Sequence, residues 1–362
     1  MIAIKIDNLS KSFDKTEALK KLNFEVKDKE FFCLLGRPGA GKTTTLRLIA
    51  GLEKADDGNI YIRDKLVNDV LPSDRDVAMI FQNLALYPAW TGFENLAFTL
   101  KLHKVPPNEI NKRVKEVANT LRINHLLDRR PATFSGGERQ RLAIGRALVR
   151  RPQVFLMDEP LSNLDALLRL DMRVELKRLQ TELGQTIIYS TPDQLEAMSM
   201  ADRIAIMREG KIHQISDPDS VYDRPNDKFV AEFIGSPSMN FIDCSLLEKD
   251  GNAFLDTGEF QLDVTKLKET IKKEATSSEI MMGIRPEHIN IHRKKISESF
   301  ETTVIMQEPL GSETILHLKR KQILFKAIVP PTFESKFGEK VWAEFNREKL
   351  YILDGKTEKV II

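Results

Sequence analysis

At the start of the chain Ile2, Ile4 and Ile6 alternate with polar residues, and Phe24 and Val26 do the same further on. A period of two places apolar side chains on one face of a strand, so both stretches predict strands. The run Glu30-Phe31-Phe32-Cys33-Leu34-Leu35-Gly36 predicts a buried strand; glycines and a helix-like Thr43-Thr44-Thr45-Leu46-Arg47-Leu48 follow it. Further strands are predicted at GNIYIRD and DVAMIF, and a helix over 108–121, where Ile110, Val114, Val117 and Leu121 share one face. VFLMDEP reads as another buried strand. After it Leu164, Leu168, Met172, Leu176, Leu179 and Leu183 recur at intervals of three and four, which predicts a helix whose stripe packs on the core, with an interface as the alternative. TIIYS predicts a strand, DQLEAM a helix, and DRIAIMREGKIHQI a hairpin turning at Glu209-Gly210. Strands alternating with helices imply an α/β fold with a parallel sheet.

The pattern changes after the short helix-like FVAEFI, near Gly235-Ser236-Pro237. From there to Ile362 the segments are mostly short and strand-like (FIDCSLL, AFLDTGEFQLDV, EIMMGI, ETILHLKRKQILFKAIV, KVWAEF, KLYIL) and are punctuated by proline and glycine, as in small barrels or sandwiches. Two domains are therefore expected, at 1–235 and 240–362, with the boundary between residues 234 and 241. A length of 362 residues suits two domains, and 41% hydrophobic with 30% charged residues suits folded cores. The net charge of +2, from 55 basic and 53 acidic residues, supplies no bulk attraction for nucleic acid or anionic lipid. Cys33 and Cys244 lack metal-type spacing and read as small packing side chains in a reducing compartment. No apolar run approaches the roughly 20 residues a membrane helix needs, and the first residues lack a signal-peptide layout. A cytoplasmic protein is expected, held at a membrane only through a partner that spans it.

Gly36-Arg37-Pro38-Gly39-Ala40-Gly41-Lys42-Thr43 fits the phosphate-loop pattern, between a buried strand and a helix. Glycines let backbone N–H groups wrap phosphates, and the helix N-terminus adds positive potential. Lys42 would neutralise the β- and γ-phosphates of ATP, and the Thr43 hydroxyl would ligate Mg²⁺. Asp158 and Glu159 emerge where a buried strand ends, the place at which α/β sheets bind ligands. Asp158 is placed to hold Mg²⁺ through water, and Glu159 to orient or deprotonate the attacking water. Ser135-Gly136-Gly137-Glu138 precedes a helical segment, and two readings stay open. One is a capping box that starts a helix; the other is a second phosphate-facing loop, which would suggest sites shared between two subunits.

Taken together, the phosphate loop, FSGGERQR, VFLMDEP followed by LSNLDA, and RDVAMIFQNLALYP resemble the ABC ATPase family. More narrowly they look like the ATP-binding subunits of its carbohydrate and glycerol-phosphate importers. FVAEFIGSPSMNF resembles the domain junction of that subgroup, and MGIRPEHI with EPLGSETILHL resembles its OB-like C-terminal β domain. The resemblance implies an ATPase that uses ATP and Mg²⁺, works as a dimer beneath transmembrane permease subunits at the cytoplasmic face, and serves an extracytoplasmic binding protein. It implies adenine stacking on Phe13, contacts from Thr44 in the phosphate loop, and a Gln82 that senses Mg²⁺ and γ-phosphate. Residues 81–90, including Trp90, would form the docking surface for the membrane partner. Ser135, Gly136, Gly137 and Glu138 would face the ATP of the opposite subunit, and Ser162, Asn163, Leu164 and Asp165 would contact that subunit. A soluble ABC protein of the ribosome or DNA-repair kind would need two cassettes or a long coiled coil, and neither is visible.

One position departs from the family pattern. A histidine normally follows the strand TIIYS, and this chain reads Ser190-Thr191-Pro192-Asp193-Gln194. Proline suits the first position of a helix, and Thr191 with Gln194 would form a capping box around it. Proline has no polar side-chain group to offer a phosphate, so slower chemistry is expected at this chain's own site. That favours a heterodimer with a second, histidine-bearing subunit, or an altogether weakly hydrolysing ATP-binding partner.

Overall fold

Strands β1 (Ile2–Phe13) and β2 (Thr16–Lys27) form an antiparallel hairpin, and β4 (Asp57–Ile62) with the short β5 (Lys65–Leu66) extends it to a sheet ordered β2-β1-β4-β5. Between them come β3 (Phe31–Leu35) and helix α1 (Lys42–Ala50). The computed structural model describes residues 1–362, and its contacts divide the chain into two units, Met1–Pro218 and Asp219–Ile362.

The first unit continues with β6 (Val77–Ile80), α2 (Gly92–Leu102), α3 (Pro107–Thr120), α4 (Gly136–Leu148), β7 (Val154–Asp158), α5 (Ala166–Leu183), β8 (Thr186–Thr191), α6 (Gln194–Met200) and the hairpin β9 (Arg203–Arg208) and β10 (Lys211–Ser216). Its main sheet runs β10-β9-β3-β8-β7-β6, parallel from β9 through to β6, as the alternation of strands and helices predicts. Every residue of β3, β7 and β8 is buried. Such strands carry side chains buried on both faces, which explains the near-continuous apolar runs of β3 and β7. Ile4, Ile6 and Leu9 of β1 meet Phe32 and Leu34 of β3 and Leu46 and Ile49 of α1 in one core. That core fixes where β3 ends and α1 begins, and so fixes the phosphate loop between them.

The stripe on α5 divides in two. Met172, Leu176 and Leu179 are buried, as core packing predicts, whereas Leu183 is 39% exposed and Leu168 lies half-buried near the helix start. Helix α2 is not singled out by the hydrophobic pattern; a capping box, Thr91 with Glu94, starts it. The hairpin turn falls at Glu209 and Gly210 as read, both at positive φ.

The second unit opens with most of α7 (Pro218–Asp223), then α8 (Lys228–Phe233) and β11 (Asn240–Lys249), β12 (Asn252–Asp256), β13 (Gln261–Asp263), α9 (Lys268–Glu274), β14 (Glu279–Ile284), β15 (Ile289–His292), β16 (Phe300–Pro309), β17 (Thr314–Arg320), β18 (Ile323–Val329), β19 (Lys340–Phe345) and β20 (Leu350–Asp354). They form two five-stranded antiparallel sheets, β13-β12-β11-β14-β20 and β15-β19-β16-β17-β18, over one shared core. The division at Pro218 precedes the composition change near Gly235. Its physical basis is Arg285: fully buried, it donates hydrogen bonds to the carbonyls of Ile234 (2.8 Å) and Tyr222 (2.5 Å) and stacks on the Tyr222 ring. The chain leading into the β sheets is thereby tied to them.

Candidate nucleotide-binding site

The turn from β3 into α1 is tight. Gly41 caps the helix at φ 104° without a side-chain hydrogen bond, and a Cβ there would lie 2.6 Å from Leu19 Cδ2, so both the backbone angle and the packing demand glycine. The helix thus begins with N–H groups that no capping side chain takes, the arrangement that receives an anion. Lys42 is 3% exposed; its Nζ donates to the carbonyl of Gly36 at 2.9 Å and lies 3.3 Å from Glu159 Oε1. Its charge is therefore folded over the loop and beside the carboxylate expected to handle water.

At the end of β7, Asp158 Oδ1 accepts hydrogen bonds from Thr43 Oγ1 (3.0 Å) and Ser190 Oγ (2.7 Å). A hydroxyl and a carboxylate this close supply the hard oxygen donors that Mg²⁺ takes, so the residues fit that ion. Glu159 adopts φ 44°, an uncommon conformation for a side chain of its size. It is pinned from both sides. Its N–H donates to the Ser190 carbonyl (3.1 Å) and hydroxyl (3.2 Å), and its carbonyl accepts from Ser162 Oγ at 2.9 Å. Pro38, Gly39, Gly41, Lys42, Thr43 and Thr44 line a cleft of about 910 Å³ with Gln82 and Glu159, and Lys15 and Thr16 line its other side. Phe13, just before those two, is 43% exposed, with the Lys11 ammonium 5.3 Å from its ring centroid. It is no core phenylalanine, and its ring is available for stacking. Gln82 is tied to the loop after β7: its Nε2 donates to Ser162 Oγ (3.2 Å) and its carbonyl accepts from Asn163 Nδ2 (3.0 Å).

Ser135, Gly136, Gly137 and Glu138 do not line that cleft. They form a complete capping box for α4: Ser135 Oγ accepts from the Glu138 N–H (3.2 Å) and Glu138 Oε2 accepts from the Ser135 N–H (2.8 Å). His125 Nε2 lies 2.9 Å from Glu138 Oε1, and this hydrogen bond, followed by the one from the Ser135 N–H, holds the Glu138 carboxyl below the ordinary value. The two glycines have a packing reason besides any ligand. A Cβ on Gly137 would lie 2.9 Å from Leu168, and one on Gly136 3.3 Å from Leu164. Leu164 and Leu168, counted in the α5 stripe, are thus the surface on which this loop rests. Asp165 caps α5 by accepting from the Leu168 N–H at 2.9 Å.

At Pro192 the local geometry differs from expectation. Helix α6 begins at Gln194, and its cap is Asp193, which accepts from the Leu195 N–H at 2.8 Å. Thr191 does not pair with Gln194 in a capping box. It is the last residue of buried β8, so its hydroxyl turns inward, donating to Glu196 Oε2 at 2.6 Å and accepting from the Asp193 N–H at 3.0 Å. Pro192 is exposed between strand and helix, not at the first helical position.

Two side chains that organise the region escaped the sequence reading. Ser190 was legible only as part of a strand, one of several hydroxyl-bearing residues in TIIYST, with nothing local to single it out. Asn95 is fully buried and holds the expected docking segment: its Oδ1 accepts from the Tyr87 N–H (2.9 Å) and its Nδ2 donates to the carbonyls of Tyr87, Trp90 and Thr91. There Trp90 is half-buried against Tyr87 (4.3 Å between centroids) and Phe98 (5.0 Å), and Arg146 stacks on Tyr87 and donates to the Ala85 carbonyl.

The parallel sheet, the phosphate loop and the paired carboxylates at the end of β7 define a P-loop nucleotide-binding cassette. A family model described as ABC transporter matches residues 19–162, one described as MalK OB fold domain matches 235–289, and one described as TOBE domain matches 282–353. The chain belongs to the ATP-binding subunits of ABC transporters and is an ATPase coupled to transport. It is 48% identical to the trehalose/maltose import ATP-binding protein MalK of Thermococcus litoralis over 100% of both chains. It is 44% identical to the oligosaccharides import ATP-binding protein MsmX of Bacillus subtilis, over 99% of each. A solved ATP-binding cassette, described as dimeric, post-hydrolysis and bound to ADP and Pi, is 29% identical with a TM-score of 0.53, covering 59% of this chain and 98% of its own. The expected preference for a non-identical, histidine-bearing partner gains no support from these relatives, and the solved cassette is a dimer in its own right. No helix is long and apolar enough to cross a membrane.

Proposed function

We propose that this chain energises an importer of a sugar, oligosaccharide, polyol or glycerol phosphate, binding ATP and Mg²⁺ in the cleft described and pairing with a second copy of itself beneath permease subunits at the cytoplasmic face of the membrane. The observation that carries the site is the convergence of Lys42, Thr43, Asp158 and Glu159 at one end of the parallel sheet, with Lys42 Nζ 3.3 Å from Glu159 and Thr43 Oγ1 3.0 Å from Asp158. The full-length identity to two import ATP-binding proteins carries the substrate class. When bound, Mg²⁺ offsets phosphate charge. The chain supplies the rest: Lys42 and the N-terminus of α1 hold the β- and γ-phosphates, Phe13 carries the adenine, and Glu159 holds the attacking water and accepts its proton. Gln82 links the cleft to the loop at Ser162 and Asn163, and residues 81–90 face the permease. Ser135 to Glu138 close on the ATP of the other copy. Residues 1–235 would form the nucleotide-binding domain and 240–362 a regulatory β domain.

Reconstituting the chain with its permeases and binding protein tests the reading. ATP hydrolysis should rise when one sugar-class ligand is supplied, and cross-links from Trp90 should reach a permease. Stimulation by no such ligand, or cross-links confined to the chain itself, would refute it.

A further inference from the structure

A serine hydroxyl inside a parallel strand buried on all sides needs a reason. Ser190 is 0% exposed in β8, whose remaining core-facing positions are filled mainly by Ile187, Ile188 and Tyr189. A buried hydroxyl without partners is destabilising, so its hydrogen bonds show what it is for. It has two, and they go to neighbouring residues at the end of β7. Its Oγ donates to Asp158 Oδ1 at 2.7 Å, the shorter of the two hydroxyl contacts on that oxygen, the other being Thr43 at 3.0 Å. The same Oγ accepts from the Glu159 N–H at 3.2 Å, beside the strand carbonyl that accepts it at 3.1 Å.

Two hydroxyls on one carboxylate oxygen fix the rotation of Asp158, and a doubly accepted N–H helps keep Glu159 at φ 44°, a conformation that persists only where its surroundings over-determine it. We propose that Ser190 is a positioning residue for both carboxylates: its hydroxyl orients Asp158 toward the Mg²⁺ of the nucleotide and holds the backbone that presents Glu159 to water. The inference rests on the assignment of Asp158 and Glu159 to the ATP site.

The test is binding of a fluorescent ADP analogue to the purified full-length chain, first in EDTA and then with Mg²⁺ titrated in. Loss of an outer hydrogen bond to a metal-holding carboxylate costs about tenfold or more in metal affinity. Ser190→Ala and Ser190→Val should therefore each raise the Mg²⁺ needed for half effect about tenfold and leave the EDTA affinity unchanged. Ser190→Thr, matched to valine in shape but keeping the hydroxyl, should stay within about twofold of the parent. The inference is overturned if alanine and valine leave the Mg²⁺ dependence unaltered, if threonine shifts it as far as valine does, or if EDTA affinity falls in step. Asp158→Asn separates the two levels. A Mg²⁺ shift in Asp158→Asn with none in Ser190→Ala sinks the role of Ser190 alone, and no shift in Asp158→Asn sinks the site assignment together with it.

Discussion

The glycine-containing loops before α1 and α4 are built oppositely. The loop before α1 leaves its helix without a side-chain cap and folds a buried Lys42 over itself; the loop before α4 closes its own cap through Ser135 and Glu138 and adds His125 on the outside. One helix start has its N–H groups ready for phosphate, while the other has spent the same capacity within the chain. On the proposed reading the first would bind a nucleotide in an isolated subunit, and the second would offer a nucleotide on another copy only what remains once its cap is made. Its glycines serve packing on Leu164 and Leu168 as much as access.

Lys42→Ala should break the comparison most severely. Without the ammonium the first loop keeps its N–H groups but loses its one buried cation, and turnover at low ATP should fall on the order of 10²–10³-fold, by analogy with removing one strong transition-state donor. Phosphate release measures this, with an unchanged circular dichroism spectrum as control; undiminished turnover refutes the assignment. Glu159→Gln keeps the shape and removes the base. Turnover should drop on the order of 10²-fold while Mg-ATP accumulates a dimer visible by size-exclusion chromatography. A variant that stays monomeric under conditions where Mg-ATP dimerises matched subunits would show that Glu159 has another role.

Pro192→His places an imidazole just after the strand end. Turnover should rise about tenfold, a modest part of what a single transition-state contact can supply, and no change in turnover would mean that this position is not limiting. Ser135→Ala sharpens the comparison from the other side. It removes the side-chain half of the α4 cap at a cost of about 1 kcal/mol in stability. Nucleotide affinity of the isolated chain should hold, and the ATP-driven dimer should weaken. Loss of affinity in the monomer would place Ser135 in the wrong site.

The smallest effect concerns acid. His125 and the Ser135 N–H hold the folded Glu138 carboxyl below its ordinary value, so its contribution is complete above the ordinary glutamate range, near about 4.3, and fades as pH falls through the folded value. Thermal melts in mild acid should show this slope in the parent chain and lose it in Glu138→Gln. Because the carboxyl is largely solvated, the difference will be small.

Most of the chemistry stood in the chain order itself. A phosphate loop, a buried strand ending in Asp158-Glu159 and a Ser-Gly-Gly-Glu helix start are local patterns. Their backbone consequences follow within a few residues, so spacing alone located them. The strands of the main sheet were legible for the same reason, since burial on both faces leaves a near-continuous apolar run. What local pattern cannot carry is which distant residues meet. Pairing β7 with β8 set Ser190 against Asp158, though 32 residues separate them. The hydroxyl of Thr191 was claimed by Glu196 and not by a helix cap, because Thr191 ends inside a buried strand. Leu168 became the floor beneath Gly137, and Arg285 drew the chain from Tyr222 to Ile234 onto the β sheets ahead of the composition change. In each case a side chain with several local options took the partner that burial brought within hydrogen-bonding or van der Waals distance. The sequence by itself determined the class of fold and pointed to the groups proposed to react. Only the tertiary structure decided their orientation, because that depends on contacts between strands and helices far apart in the chain.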